Sequence, residues 1–227
     1  MNFKQANLTN FRQGRSTKIK YLVIHYTANN GDTAKNNVDY YANNKNLGAS
    51  AHFFVDENQI WQSVKEGDTA WHCGATTYKH ALCRNYNSIG IELCSRIDEY
   101  GVYYFKNETI INAAKLTKEL MAKYNIPIEN VIRHYDVTGK ICPAPMVKDI
   151  ALWSRFKDML TAKSVEPVKP VKSVKIETGN DIDYVLKTKY GITFDSLENE
   201  KIFIKELDEA RKKDSKLYWV YYKLANK

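Results

Sequence analysis

KIKYLVIHYT, residues 18–27, is the stretch from which the fold class follows. It is a short apolar run rich in β-branched and aromatic side chains, which is typical of a β-strand. Successive side chains of a strand point to opposite faces, so Leu22 and Ile24 are predicted on one face and His25 on the other. The pattern therefore predicts a strand that presents a histidine at its end.

The segments that follow alternate between strand and helix patterns. Strand patterns recur in AHFFVD (51–56), QIWQSV (59–64) and SIGIELCS (88–95). Apolar residues at helical spacing predict a helix from Asn107 to Tyr124, with Asn107 as its cap and Asn125 at its end. A shorter helix is predicted from Thr33 to Asn43, with Asp32 as its cap. This alternation indicates an α/β domain in which helices flank a central mixed β-sheet.

Length and composition allow one full domain and a small second one. The chain has 227 residues, of which 44% are hydrophobic, so it can bury a substantial core. Its net charge of +8 favours an anionic partner. The basic excess is spread out: residues 163–227 hold 14 Lys and Arg against 11 Asp and Glu, and residues 1–162 hold 20 against 15. No nucleic-acid-binding motif accompanies it, so we expect a solvated basic surface or an anionic polymer as partner, and no nucleic acid.

The sequence predicts neither membrane insertion nor a targeting segment. Residues 1–18 are polar, and the first apolar run, 21–26, is too short for a bilayer span or a signal peptide. We therefore expect no membrane span and no signal peptide. The four cysteines form no CxxC pair, so neither a disulfide framework nor a zinc ribbon is indicated. A bridge between Cys73 and Cys83 stays open.

A change in composition divides the chain. TAKSVEPVKPVKSVKIETGN, residues 161–180, alternates Val with Lys around two prolines and has no helical period, which is typical of an extended linker. We predict a domain at 1–162, a linker at 163–178 and a small, mainly helical C-terminal domain at 179–227. The aromatic-rich LYWVYYKLA, residues 217–225, would form the core of that small domain or stack on sugar rings, and both uses stay open.

The segment HYDVTGKICP, residues 134–143, has the composition of half a metal site. His134 and Cys142 are separated by a loop that can fold both side chains onto one ion. Together with His25 they make two histidines and one thiolate, a set typical of a catalytic zinc with an open fourth position. The alternatives are a packed histidine at the strand end and a buried thiol, although Lys140 lies two residues from the cysteine, where an extended loop would aim it to the same side.

Glu92 is the lone acid in the apolar strand IGIEL. A carboxylate on a buried strand is costly unless it is paired or used, and burial raises its pKa toward the range of a general base. The alternative is a glutamate on the solvent face of an edge strand. Residue spacing alone does not decide between a buried general base and an exposed glutamate on an edge strand.

Five motifs now stand in order along the chain: HYTAN around His25, SAHFFVD around His52, TAWHCG around His72, SIGIELC around Glu92 and NVIRHYDVTGKICP around His134. Together they resemble the type-2 family of zinc-dependent N-acetylmuramoyl-L-alanine amidases. These enzymes occur in phage endolysins and bacterial autolysins and share a fold with the peptidoglycan recognition proteins. The resemblance covers roughly residues 15–160, and five motifs are more specific than any single one.

The resemblance implies a Zn²⁺ site formed by His25, His134 and Cys142. It assigns Glu92 as the base that activates water and Lys140 as the cation that stabilises the oxyanion. The implied reaction hydrolyses the amide between the lactyl group of N-acetylmuramic acid and L-alanine of the peptidoglycan stem. The alternative is a non-catalytic peptidoglycan-binding protein on the same fold, against which the cysteine at position 142 argues.

Three further residues follow from the same resemblance. Ala51 precedes His52 where some phage members carry a catalytic tyrosine. A tyrosine-assisted mechanism is therefore not expected, and catalysis is expected to depend on Glu92. His52 would line the cleft or simply pack. His72 resembles a substrate-contacting histidine beside the zinc, with Trp71 as a wall of the groove.

The resemblance also bears on location and on the tail. It implies a protein that is made in the cytoplasm and acts on the cell wall after release, with a holin as the expected route in a phage. Endolysins commonly append a targeting or oligomerising segment to the amidase. The C-terminal domain is therefore expected to bind anionic cell-wall polymers or to form homo-oligomers.

Overall fold

A six-stranded mixed β-sheet forms the centre of the fold in the computed structural model, which describes residues 1–161. The strands are β1 (Asn2–Phe3), β2 (Phe11–Arg12), β3 (Tyr21–Tyr26), β4 (Phe53–Val55), β5 (Ile60–Gln62), β6 (Thr69–Ala70), β7 (Ser88–Leu93), β8 (Arg96–Ile97), β9 (Tyr103–Tyr104) and β10 (Val131–Arg133). The α-helices are α1 (Ala34–Asn43), α2 (Asn107–Tyr124), α3 (His134–Thr138), α4 (Ala144–Lys148) and α5 (Ile150–Thr161). Single turns of 3₁₀ helix occupy Leu8–Asn10, Asn85–Asn87 and Ile128–Asn130.

The strand order in the large sheet is β1-β5-β4-β7-β3-β10. Strands β4, β7, β3 and β10 run parallel to one another, whereas β4 and β5 form an antiparallel pair. Two small antiparallel pairs, β2 with β6 and β8 with β9, lie outside this sheet. The prediction of a central mixed sheet flanked by helices is thereby confirmed.

The two faces of the central strands differ in chemistry. Alternate residues of β3 and β7, among them Leu22, Ile24 and Ile91, pack in one large apolar cluster with α2 and α5. Burial of these side chains is the main stabilising term of the fold, at about 25 cal/mol for each Å² of apolar surface removed from water. On the opposite face, Tyr21 and Val23 pack in a smaller apolar cluster, and His25 and Glu92 lie beyond them toward the strand ends.

Helix α2 has the bounds predicted from the sequence, but its cap is different. Lys106 occupies the N-cap position without a side-chain hydrogen bond, and Asn107 is the first helical residue. The prediction of Asn107 as the cap is therefore wrong. At the other end, Asn125 adopts the left-handed conformation (φ 51°) and its N–H donates to the Met121 carbonyl, which ends the helix as predicted.

Helix α1 begins one residue later than predicted, and Asp32 does not cap it. The Thr33 side chain accepts a hydrogen bond from the Asn36 N–H, and the Asn36 side-chain oxygen accepts one from the Thr33 N–H, which is a complete capping box. The Asp32 carboxylate is instead held by the side-chain amide of Asn37 at 2.6 Å and by the Thr27 hydroxyl at 3.2 Å. The carboxylate therefore accepts from side chains and leaves the first backbone N–H groups of the helix to other acceptors.

Within residues 1–161, no helix combines the length and apolar character needed to cross a membrane. All four cysteines of this part of the chain are buried and free, so the bridge between Cys73 and Cys83 that the sequence left open is not formed. The predicted linker at 163–178 and the whole predicted C-terminal domain at 179–227, including the aromatic segment at 217–225, lie outside the described residues.

Candidate active site

Three neighbouring parallel strands end at the same edge of the sheet and bring the predicted polar residues together. His25 lies in register with Glu92 on the adjacent β7, and its Nδ1 is 3.9 Å from Glu92 Oε1. On the other side β10 pairs Arg133 with Ile24, so that His134 follows next to His25. The two imidazole rings lie 4.6 Å apart between centroids. The carboxyl ends of parallel strands are a common place for functional sites in α/β folds.

His134 is the first residue of helix α3, where the sequence predicted only a loop. Arg133 takes the N-cap position, and its backbone N–H donates to the Asp136 carboxylate at 2.9 Å. The Arg133 guanidinium also pairs with Asp136 and donates to the Met146 carbonyl at 3.0 Å. This local pairing turns the chain sharply from strand into helix, which directs His134 toward His25.

Cys142 returns to the cluster because α3 is short. Gly139 ends that helix in the left-handed conformation (φ 84°), which a residue without a side chain adopts at little cost. The Tyr135 N–H then donates to the Cys142 carbonyl at 2.8 Å and fastens the returning segment to the helix. Cys142 Sγ comes to 3.7 Å from His25 Nδ1.

His25, His134 and Cys142 form a buried cluster whose ligand atoms all lie within 4.8 Å of one another, as a metal site requires. Two buried polar atoms beside it, His134 Nδ1 and Glu92 Oε2, have no hydrogen-bond partner among the described residues. Buried polar atoms are rarely left unpaired. A cation held by the cluster would satisfy the histidine nitrogen directly and attract the carboxylate, so the residues present fit a metal ion.

Burial leaves the histidine donors of the cluster unprotonated and thus available to a cation. Burial lowers the pKa of His25 well below its usual value and, together with the charge of Lys140, lowers that of His134 to about 4. Both rings are therefore neutral near pH 7 and keep a lone pair for a metal. Burial raises the pKa of the Cys142 thiol to about 12, so the thiolate forms when a cation displaces its proton.

Glu92 does not lie on an edge strand, so that alternative reading is wrong. Strand β7 is flanked by β4 and β3, and the Glu92 side chain is only 19% exposed. Burial raises the pKa of Glu92 to about 8; Lys140 opposes this shift and Asp32 adds to it. A carboxyl group tuned in this way can exchange a proton near neutral pH.

An open cleft of about 780 Å³ lies over the cluster. Trp71, His72, His134 and Lys140 contribute to its lining, together with small and polar residues: Gly48, Ala49, Gly74, Ala75, Thr76, Thr77, Asn85 and Thr138. Lys140 is exposed and Trp71 is half-buried, so both present side-chain atoms to a bound molecule. The volume is in the range of small-ligand sites.

His52 lies deeper than the sequence could indicate. It is fully buried and does not belong to the residues that line the cleft. Its Nδ1 accepts from the Gly90 N–H at 3.0 Å, and its Nε2 lies 3.3 Å from the Asp68 carbonyl oxygen and 2.6 Å from the Arg15 guanidinium. These contacts favour the packing alternative over the cleft-lining one.

His72 lies beside the cluster, as predicted, but both of its ring nitrogens are engaged by the protein. Nδ1 is 3.0 Å from His25 Nε2, and Nε2 is 3.1 Å from Ser88 Oγ. Sequence reasoning gave Ser88 no role. The signal that could have found it is the alternation of β7, in which Ser88, Gly90 and Glu92 share the face opposite the apolar residues.

Comparison with known proteins agrees with this geometry. The family model described as N-acetylmuramoyl-L-alanine amidase matches residues 15–145. The amidase CwlL of Bacillus licheniformis is 36% identical over 147 residues, which cover 61% of this chain and 40% of CwlL. The amidase BlyA of Bacillus subtilis (strain 168) is 32% identical over 171 residues, 68% of this chain and 45% of BlyA. The chain thus spans about half the length of the curated relatives it matches.

Solved structures of similar proteins have the same fold. The structure of PlyL superposes with a TM-score of 0.59 at 30% identity and covers 70% of this chain and 96% of PlyL. The catalytic domain of XlyA superposes with a TM-score of 0.57 at 31% identity, over 70% of this chain and 99% of that domain. Since the family model spans more than half of the chain and includes every residue of the buried cluster, the chain belongs to the N-acetylmuramoyl-L-alanine amidase family.

Proposed function

We propose that this chain is a zinc-dependent amidase of bacterial peptidoglycan. The bond cleaved joins the lactyl carbonyl of N-acetylmuramic acid to the amino group of L-alanine. The observation that carries the proposal is the convergence of His25, His134 and Cys142 on one point beside Glu92, at the floor of a cleft. Family membership supports the same reaction.

Zinc is the metal that this set of donors suits best. Two imidazole nitrogens and one thiolate are borderline to soft ligands, and three protein ligands leave a fourth position for chemistry. A bound zinc ion supplies a Lewis acid that polarises the scissile carbonyl and makes water more acidic. The three ligands are buried and His134 among them lines the cleft, so burial limits competition from bulk solvent.

Glu92 is the proposed general base and acid. Its carboxylate accepts a proton from the attacking water as the new carbon–oxygen bond forms. It then gives the proton to the leaving nitrogen as the carbon–nitrogen bond breaks. The second proton of the water stays on the new carboxyl group and passes to the amine near neutral pH. The products are then a lactyl carboxylate and an L-alanine ammonium group, and both protons of the water are accounted for. A pKa tuned upward by burial suits a group that must both take and release a proton.

Lys140 and Trp71 are proposed to act on the substrate from the walls of the cleft. Lys140 places a positive charge where the tetrahedral intermediate becomes negative, and such a charge fixed in place before reaction stabilises the transition state. Trp71 offers an aromatic surface of the kind that packs against sugar rings. His52 is proposed only as a packing residue, because its ring is buried behind the cleft.

An assay on purified bacterial cell walls tests the reaction. The full-length protein should lower wall turbidity and release new L-alanine amino termini without new reducing sugar ends. A zinc chelator should stop the release, and added zinc should restore it. Walls that bind the protein but gain no amino termini would instead support the alternative of a non-catalytic peptidoglycan-binding protein.

For residues 163–227 we propose a role in targeting. Their basic excess of 14 Lys and Arg over 11 Asp and Glu would attract anionic cell-wall polymers or, in a second arrangement, support self-association. A weak wall contact on the same chain raises the local concentration of substrate without changing the chemistry. The protein would act on the wall after release from the cell in which it is made.

Truncation after Lys163 tests that role. The shortened protein should keep its zinc and its rate on small soluble muropeptides, because every proposed site residue precedes position 143. Its binding to whole walls should fall, and the part that is lost should be the salt-sensitive part, since exposed charges are screened by salt. A loss of activity on the soluble substrate would show that the tail completes the catalytic domain.

A further inference from the structure

A chain of three hydrogen bonds leads from the metal cluster into the sheet. His25 Nε2 is 3.0 Å from His72 Nδ1, and His72 Nε2 is 3.1 Å from Ser88 Oγ. The Ser88 hydroxyl donates to the backbone carbonyl of Arg84 at 2.7 Å. His25, His72 and Ser88 are all buried, at 1%, 9% and 0% exposure. Water therefore does not compete freely for these bonds.

The last bond of the chain fixes the direction of the others. A carbonyl oxygen only accepts hydrogen bonds, so the single hydroxyl proton of Ser88 is committed to Arg84. Ser88 Oγ can then only accept from His72, which must carry its proton on Nε2. In neutral His72 this leaves a lone pair on Nδ1, so His72 can only accept from His25 Nε2–H.

The direction of these hydrogen bonds determines which nitrogen of His25 has the lone pair. A neutral His25 that carries its proton on Nε2 has its lone pair on Nδ1. That nitrogen is the one that faces the cluster, 3.7 Å from Cys142 Sγ and 3.9 Å from Glu92 Oε1. The opposite tautomer would point an N–H at the position of the cation.

Gly90 holds the His72 ring in the place that this chain requires. A Cβ atom at position 90 would lie 2.5 Å from His72 Cγ, so the ring packs directly on the backbone of β7. The rings of His25 and His72 meet edge to face, at 5.1 Å between centroids and an interplanar angle of 89°. The ring therefore has little freedom to turn away from Ser88.

We propose that Ser88 and His72 are positioning residues that fix His25 in the tautomer whose Nδ1 binds the metal. The inference rests on the metal site proposed above and extends it to the residues behind that site. Histidines that bind metals usually donate their second N–H to a partner that sets the tautomer. Here the partner is a second histidine, and a serine determines which nitrogen of that histidine accepts. The predicted substrate contact of His72 stays a prediction: the residue lines the cleft, but both of its ring nitrogens already have partners in the protein.

The tautomers themselves can be observed by NMR. Long-range ¹H–¹⁵N correlation spectra of the imidazole rings distinguish protonated from unprotonated ring nitrogens. In the full-length protein with zinc removed, at a pH where both rings are neutral, we expect His25 and His72 each to carry a proton on Nε2 alone. A His72 ring protonated on Nδ1 would overturn the proposal. The measurement does not depend on amidase activity, so it can fail while the proposed function stands.

Zinc affinity gives the second test, measured by competition with a coloured chelator. Asn and Leu have similar shapes, but only Asn offers an oxygen near the position of His72 Nδ1. His72→Leu should weaken zinc binding about 10- to 100-fold, the usual effect of losing an outer-shell partner, whereas His72→Asn should retain most of the affinity. Equal losses in both variants, with unchanged folding, would reduce His72 to a packing residue.

Ser88→Ala tests the far end of the chain. It should weaken zinc binding by up to about tenfold and allow His72 to populate both tautomers in the NMR spectra. Ser63→Ala is the matched control, because Ser63 is also fully buried and its hydroxyl has no hydrogen-bond partner in the described part of the chain. A Ser88→Ala protein with wild-type zinc affinity and an unchanged His72 tautomer would show that the serine does not set the tautomer.

Discussion

Cys142→Ala is expected to abolish stable zinc binding and, with it, amidase activity. Cys142 is the only thiolate donor in the cluster, and the variant would leave two neutral imidazoles to hold the ion. Loss of an outer-shell partner already weakens zinc binding by about 10- to 100-fold, so loss of a direct ligand should exceed about a hundredfold. Metal analysis after gel filtration should find little zinc bound to the variant.

Cys94→Ala is the matched control for that experiment. Cys94 is a buried free cysteine near the same edge of the sheet, but its sulfur lies beside Asn37 and is not part of the metal cluster. Removing it deletes the same atoms from a buried site and should leave zinc content unchanged. Full zinc occupancy in Cys142→Ala would remove Cys142 from the metal site and overturn the ligand set.

Local patterns in the sequence predicted the elements of the fold and the proximity of His134 to Cys142, whereas the assignment of His25 to the same site came from the family resemblance. Alternation along β3 placed Leu22 and Ile24 opposite His25, and the structure has that arrangement. The short spacing between His134 and Cys142 predicted that both side chains reach one point, which they do. Such features are fixed by strand periodicity and by a short connection, and both can be read from a single sequence.

The features that the sequence did not predict depend on contacts between distant segments. The register that sets Glu92 beside His25 comes from the pairing of β7 with β3, which alternation alone does not determine. The contact of His72 with His25 joins residues 47 positions apart. The prediction of the α1 cap was wrong for a different reason. Asp32 and Thr33 are both good capping residues, and Thr33 caps the helix while the Asp32 carboxylate accepts from the side-chain amide of Asn37.

Glu92→Gln and Lys140→Ala should fold and bind zinc normally but hydrolyse cell walls at least about a hundredfold more slowly. Loss of a general base typically costs about 10²- to 10⁴-fold, and loss of an oxyanion stabiliser about 10²- to 10³-fold. Glu119→Gln and Lys148→Ala make the same chemical changes at exposed positions outside the cleft and should keep full activity. Near-normal rates in either site variant would remove that residue from its proposed role.

The pH dependence of kcat/KM separates the two roles. A general base must be deprotonated to act, so the rate should fall as the pH drops below the pKa of Glu92. In Glu92→Gln that acidic limb should disappear, because the titrating group is gone. In Lys140→Ala it should remain but move to higher pH, since the positive charge of Lys140 lowers the pKa of Glu92 and its removal lets that pKa rise. If the acidic limb persists in Glu92→Gln, a different group accepts the proton from water. If the acidic limb of Lys140→Ala lies at the same pH as in the unchanged protein, the lysine does not act electrostatically on the base.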